Sequence, residues 1–584
     1  MAGPELPRFD RHFFDGTESF TVIGSGPIGG KARGLADIRE ALASQLDAGA
    51  FPGIDIVIPT LTIIATDAFD QFLEINKLHD LALSEEPDHQ IARGFQHGDL
   101  PVDLVGDLRA LVTKVHQPLA VRSSSLLEDA MDHPFAGVYE TKMIPNNQHD
   151  PDERFRRLVE AIKLVWASTF FRTAKDYIRV TSRRPDEEKM AVVIQEVVGR
   201  RHRDLFYPDL AGVARSYNFY PTGHGRPKEG VVSLALGLGK TIVDGGRSWT
   251  YCPAYPRATP PYNNIRDLMQ QTQLRFWAVN MGKPAEYDPL RETEYLMEAD
   301  LETAEADEVL GVLASVYDSE SDRLVGSLAT PGPRILTFAP ILVSERVPLN
   351  RAITAILSCC ERAAGAEVEI EFAVTFPEEG LSRARLGFLQ VRPMAVSNDK
   401  VDIPAKAMSG PDVLAAGETA LGNGTISTIR DIVYLRPAAF DAAKTLTMAA
   451  EVDAMNRELV AQGRPYLLIG FGRWGTSDPW LGVPVLWSQI SGARAIIESS
   501  LPDIEADPSQ GSHFFHNVTG FRVLYFTVKH TGRYRIDWGW LDRQPAAAET
   551  RFVRHLRLEA PLTAKVDGRT GRGVIVRTPD RGDA

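Results

Sequence analysis

The chain has 584 residues, 44% hydrophobic and 24% charged. That is the composition of a soluble globular protein, too long for one core, so about two to four domains are expected. A net charge of −13 argues against general nucleic-acid binding, and three cysteines are too few for a disulfide framework. The charged start MAGPELPRFDRHFFDG does not read as a signal peptide. No apolar run of about eighteen residues is available to span a membrane. The expected setting is reducing and cytoplasmic.

In chain order, FTVIGSGPIGGKARGLADIREALASQL reads as a strand, a Gly-rich turn and an amphipathic helix. Gly24, Gly26 and Gly29 match G-x-G-x-x-G, but the acidic residue wanted at the end of the next strand is missing, since Asp55 stands at its start. A Walker A loop fails because Ser25 takes the first glycine position and Ala32 follows Lys31. There remains a turn offering Lys31 and backbone N–H groups to phosphate, with a plain tight turn and a solvated lysine as the alternative. IDIVIPTLTIIAT reads as buried strand and PVDLVGDLRALVTKV as helix. PLAVRSSSLLED is a strand entering a polar turn. Arg122 and the serines after it suit phosphate, or Arg122 pairs with Glu128 or Asp129 to fix the loop. DERFRRLVEAIKLVWASTF has helical spacing, KMAVVIQEVV and EGVVSLALGLG read as buried strands, and residues 286–330 are acidic and helix-prone. RAITAILSCCERAAG reads as a helix closed by Gly365.

AEVEIEFAVTF, residues 366–376, alternates Glu367, Glu369 and Glu371 with Val368, Ile370, Phe372 and Val374. Period two marks a half-buried strand, yet aligned like charges repel and Glu is a poor strand former. A hairpin with RLGFLQVRPM sets Gln390 and Arg392 beside the glutamates. Carboxylates and an amide oxygen are hard ligands for Mg²⁺, and the arginine suits phosphate; a solvated face with a salt bridge is the alternative. SNDKVDIPAKAMSGPDV has linker character, which places the main boundary near residue 398. Beyond it, GFGRWGTSDPWLGVPVLWSQISGAR and DPSQGSHFFHNVTG hold Arg473, Ser477 and Asp478 in a glycine-rich loop, then His513 and His516 around two phenylalanines. Either imidazole suits a phosphate acceptor or general base, or both belong to an aromatic core. His513 is favoured over His516. Trp474, Trp480 and Trp487 are expected to pack.

GGKARGL, LAVRSSSLLEDAMDHPFAGVYET, LALGLGKTIVDGG and VEIEFAV…GFLQVRP together resemble the ATP-binding domain of phosphoenolpyruvate synthase and pyruvate phosphate dikinase, shared by the rifampin phosphotransferases. The resemblance covers roughly residues 15–396 and implies an ATP-grasp fold of two α+β subdomains closing on Mg-ATP. It puts Lys31 and Arg122 at phosphate-contacting positions, Glu369, Glu371 and Gln390 at metal and nucleotide ligands, Arg392 beside the phosphates, and Gln195 and Val197 along the adenine-side strand. The expected organisation is this domain at 15–396, a linker at 397–410 and a separate mixed α/β domain at 411–584. Full dikinases add a histidine-bearing carrier domain and a pyruvate-binding barrel. Here roughly 190 residues follow residue 395, fewer than the about 250 of such a barrel, so its absence is expected. WGTSDPWLGVPV loosely resembles the carrier segment, but Asp478 stands where the histidine would be. An ATP- and Mg²⁺-dependent phosphotransferase with an unknown small-molecule or protein acceptor is therefore expected, with Lys31, Arg122, Arg392 and His513 as catalytic candidates. A non-catalytic ATP-binding regulatory module and, more remotely, an acyl-phosphate-forming ligase are the alternatives.

Overall fold

The computed structural model describes residues 6–46, 49–128, 137–180, 184–219, 221, 225–258, 264–377, 383–394, 396, 401–476, 478–502, 512–568 and 570–578. The side chains of Val180, Gln270, Ser512, His513 and Phe515 lie outside that description.

Residues before the 397–410 segment build two main sheets. The first has the order Phe20–Ile23, Leu61–Ile64, Met190–Glu196, Leu119–Ser125, Thr141–Ile144, with only its first pair parallel. The helix Gly29–Gln45 follows the first strand through the Gly-rich turn and buries Ala32, Leu35, Ala36, Ile38 and Leu42, a three-to-four spacing. Gly29 has φ +75°, and a Cβ there would lie 1.8 Å from the Ser124 carbonyl oxygen. Only glycine lets the helix start this close to the neighbouring strand.

The second sheet has the order Trp249–Tyr251, Val231–Ala235, Leu210–Arg215, Val368–Thr375, Ala384–Pro393, Ile54–Val57. IDIVIPTLTIIAT, expected as one strand, is therefore two, divided at Pro59 and placed in different sheets. Proline has no N–H for a ladder and disfavours an uninterrupted central strand. Val368–Thr375 and Ala384–Pro393 form the expected hairpin, Glu371 opposite Gln390 and Glu369 opposite Arg392, with an irregularity after Glu371. The glutamate strand is not half-buried, however. Leu210–Arg215 pairs along its other edge, and Val368, Glu369, Ile370, Phe372, Ala373 and Val374 are all buried. Residues 286–330 also depart from the helical expectation, forming the strands Leu296–Asp300, Ala314–Asp318 and Arg323–Val325 around one short helix, Leu301–Ala306. Burial of Val309, Leu310, Leu313, Ala314 and Val316 overrides local propensity there. The helix Leu349–Ala364 ends at Gly365, φ +64°, as its sequence indicates.

Residues 413–576 form a mixed, nine-stranded sheet, with the short pair Arg473–Trp474 and Gly482–Val483 beside it, rather than an eight-stranded parallel barrel. Its strands Gly424–Leu435, Tyr466–Phe471, Ala493–Ser499 and Leu524–Val528 run parallel. The helices Thr445–Ala461 and Ser512–Gly520 are crossovers between them. The last three of these strands are buried throughout or nearly so, as parallel strands covered on both faces are. The apolar interior runs on between the two parts of the chain: Phe72, Trp166 and Tyr177 share a cluster with Leu468, Trp487 and Phe514. Trp474 and Trp487 pack as expected, whereas Trp480 is 71% exposed. Among the described residues no helix is long and apolar enough to cross a membrane.

Candidate functional site

A cleft of about 180 Å³ separates the two main sheets. Arg122, Gln195 and Thr141 reach it from the first sheet, and Gly212, Glu371, Phe372, Leu389 and Arg392 from the second. Lys31 enters from the helix after the Gly-rich turn. Met143, Val197, Leu238 and Leu296 line an apolar stretch, a setting suited to a base.

Lys31 and Arg122, separated in sequence, are both held by oxygen groups. Lys31 Nζ donates to Ser123 Oγ at 3.0 Å and pairs with Glu128 Oε1 at 2.8 Å. Glu128 thus serves Lys31, not Arg122; Asp129, the other partner considered for Arg122, lies outside the described residues. The turn's backbone is used internally. Ser25 N donates to Asp67 Oδ2 at 2.9 Å and Ala32 N to Ser124 Oγ at 3.1 Å. Burial raises the Asp67 carboxyl, but hydrogen bonds from Ser25 and Gly26 outweigh it and hold the group below its ordinary value. The N–H groups of Ser25 and Gly26 thus meet the Asp67 carboxylate in place of a phosphate, and Lys31 is the side chain this segment sends to the cleft.

Arg122 joins the sheets. Its Nη1 donates to Leu389 O at 3.1 Å and Gln195 Oε1 at 3.3 Å; its Nη2 donates to Gln390 Oε1 at 2.5 Å and Glu371 Oε2 at 3.3 Å. Arg392 Nη2 lies 3.7 Å from Glu371 Oε1. The hairpin register and one guanidinium thus bring Glu371, Gln390, Arg392 and Arg122 together.

Glu369, one rung along, has a different environment. It is 1% exposed; Arg215 Nε donates to its Oε2 at 2.6 Å, and His516 Nε2 lies 2.8 Å from its Oε1. Burial pushes the carboxyl up, but the charges of His516 and Arg215 and the His516 hydrogen bond outweigh this, holding it well below the usual carboxylate range. His516 comes from the crossover helix Ser512–Gly520 of the C-terminal sheet. The same helix is anchored by Tyr177, whose hydroxyl donates to Asn517 Oδ1 at 3.0 Å and whose ring lies 5.1 Å from Phe521. Arg473 Nη1 also crosses, donating to Gly245 O at 3.2 Å. The side chain of His513, the histidine favoured by sequence, lies outside the described residues.

The residues fit a magnesium-bound nucleotide in donor chemistry. The Gln195 amide nitrogen, at the cleft, is buried with no hydrogen-bond partner among the described residues, a donor suited to a ligand acceptor. Among the described residues no three His, Cys, Asp or Glu side chains are grouped as a metal cage. Magnesium carried by a polyphosphate needs only one or two carboxylates. Glu371 lines the cleft, while Glu369 and Gln390 are buried beside it. Sequence reasoning missed the opposite wall. Lys240 pairs with Asp244 at 3.0 Å and lies 3.7 Å from Glu292. Burial, then the charge of Glu292, raises the nearby Glu140 carboxyl to about 7. The run GLGKT was the available signal, a glycine-rich turn delivering a lysine at a helix start.

The family described as the pyruvate phosphate dikinase AMP/ATP-binding domain matches residues 26–410, more than half of the chain. A curated relative, the uncharacterized phosphotransferase YvkC of Bacillus subtilis (strain 168), is 28% identical over 215 residues, 35% of this chain and 23% of that protein. The matched region thus spans under a quarter of the relative's length. Together with a cleft between two α/β layers whose walls carry the expected lysine, arginines and glutamate, the match establishes that this chain belongs to the family of the pyruvate phosphate dikinase AMP/ATP-binding domain.

Proposed function

We propose that the chain is an ATP- and Mg²⁺-dependent phosphotransferase of the dikinase type. The observation that carries this reading is the convergence of Lys31, Arg122 and Arg392 with Glu371 on one cleft. In this reading the three cations neutralise and orient the polyphosphate, with Arg122 also fixing the two sheets relative to each other. Glu371, Gln390 and Glu369 are the oxygen donors for Mg²⁺, while Gln195 and Val197 meet the base. When bound, the metal nucleotide supplies the phosphoryl group and offsets its charge. The naming of the relative as a phosphotransferase supports the same class.

The test is nucleotide analysis of the full chain incubated with Mg-ATP labelled separately at the β- and γ-phosphates. A dikinase route releases AMP and phosphate, and direct transfer releases ADP. Intact ATP after binding would instead support a regulatory ATP-binding module. That second reading is favoured by one observation: both Glu369 oxygens are already held by protein groups.

A further inference from the structure

We propose that the C-terminal domain is a latch on the metal position. His516 holds Glu369 in the docked arrangement, so docking of the helix Ser512–Gly520 and binding of a divalent cation at Glu369 exclude one another. The inference rests on the nucleotide reading above and adds a control that the nucleotide-binding segment does not contain within itself.

Three observations support it. Both oxygens of Glu369 are engaged, Oε1 by His516 at 2.8 Å and Oε2 by Arg215 at 2.6 Å. The contact is shielded from water, at 2% exposure for His516 and 1% for Glu369, so no solvent layer separates histidine from carboxylate. The imidazole also arrives from a different sheet, 147 positions away in sequence, on a helix held by separate contacts through Tyr177. Among the described residues, Glu371, two residues along the same strand, meets no group from the C-terminal sheet in its ion pairs; its partners there are Arg122 and Arg392. The latch therefore acts on one of the two acids and leaves the cleft-facing one to the nucleotide.

Arg215 lies on the strand next to Glu369 and belongs to the sheet itself. Releasing it would mean distorting that sheet, whereas releasing His516 means parting the C-terminal helix and its buried neighbours from the hairpin, with the sheet of Glu369 left whole. His516 is thus the removable partner. A cation that takes the freed oxygen and a domain that covers it are coupled ligands of one carboxylate, and each must weaken the other by the same factor. His516 is accordingly a positioning residue, acting through Glu369.

The experiment uses the full chain, Mn²⁺ as a paramagnetic stand-in for Mg²⁺, and a non-hydrolysable ATP analogue. Bound metal is read by electron paramagnetic resonance, and backbone protection of residues 512–520 by hydrogen exchange. The latch predicts that His516→Ala binds the metal nucleotide about tenfold more tightly than the wild type, within the usual range of coupling between sites. It also predicts that adding metal nucleotide to the wild type speeds exchange across 512–520. Tyr177→Phe, which removes the hydroxyl donating to Asn517 and leaves the cleft intact, should shift affinity the same way by about twofold, and it serves if the histidine variant does not fold. A merely structural His516 lowers stability without tightening metal binding. Equal or weaker affinity in a folded His516→Ala or in Tyr177→Phe, with unchanged exchange, overturns the latch and leaves the phosphotransferase reading standing. No metal-dependent nucleotide uptake by any of these proteins overturns both.

Discussion

Two neighbouring rungs of one hairpin carry the same acid but are finished by different parts of the molecule. The Glu371–Gln390 rung opens on the cleft and is crossed by Arg122 from the facing sheet. On the Glu369–Arg392 rung Arg392 reaches the cleft but Glu369 is sealed, with Arg215 from the adjacent strand and His516 from the C-terminal sheet. A displacement of two residues along a strand keeps the same face, so the difference arises from what covers each position and not from the strand itself. The open rung is built to exchange partners with a ligand, while the sealed one ties ligand binding to domain arrangement.

The largest expected effect falls on the open rung. Arg122→Ala removes four hydrogen bonds, three of which join the two walls, and should lower Mg-ATP affinity on the order of 1,000-fold, measured by calorimetry. Glu369→Gln keeps the shape of the sealed rung but removes the charge facing Arg215 and His516. A loss of about 3 kcal/mol of stability at neutral pH in denaturant unfolding, without nucleotide, is expected. Because its carboxyl is held well below the ordinary value, that contribution is present at neutral pH and is lost only as pH falls through the depressed value. Glu371→Gln should behave in the opposite sense, with Mg-ATP use down about 100-fold while stability falls by less than about 1 kcal/mol. Equal losses at the two rungs would erase the distinction between them.

The smallest predicted effect concerns Glu188, buried near the Lys31 end of the cleft. Burial, with the Glu128 charge adding and a Ser125 hydrogen bond opposing, raises its carboxyl from 4.5 to about 7. Its folded value is raised, so its contribution to stability is fully present below about 4.5 and is lost as pH rises through about 7. Glu188→Gln should therefore gain about 1 kcal/mol over the wild type at pH 8 and nothing at pH 4, measured by chemical unfolding at both values.

The open rung was legible in the sequence because it breaks a local rule: alternating acids on a strand need cations, and Arg122 and Arg392 supply them at Glu371. Period two put Gln390 and Arg392 on the glutamate face of a hairpin, while the pairing of Glu371 with Gln390 and Glu369 with Arg392 is set by the structure. Other features lay beyond local patterns. Pro59 divided one apolar run between two sheets, a signal present but outweighed by the apolar residues on either side. Asp67 captured the turn's N–H groups from a separate helix. Acidic residues 286–330 resemble helix until the buried Leu310, Leu313 and Val316 find their sheet. His516 was visible as one of two histidines, but its partner was not, since a contact across 147 residues depends on how the two parts dock.

The central claim is that the cleft between the two main sheets takes up nucleotide together with a divalent cation. Calorimetric titration of ATP into the full chain, with and without Mg²⁺, tests it most directly. Saturable one-site uptake that requires Mg²⁺ and disappears in Arg122→Ala is the predicted result. Absence of uptake by the folded protein, or binding indifferent to both the metal and Arg122, would contradict the account.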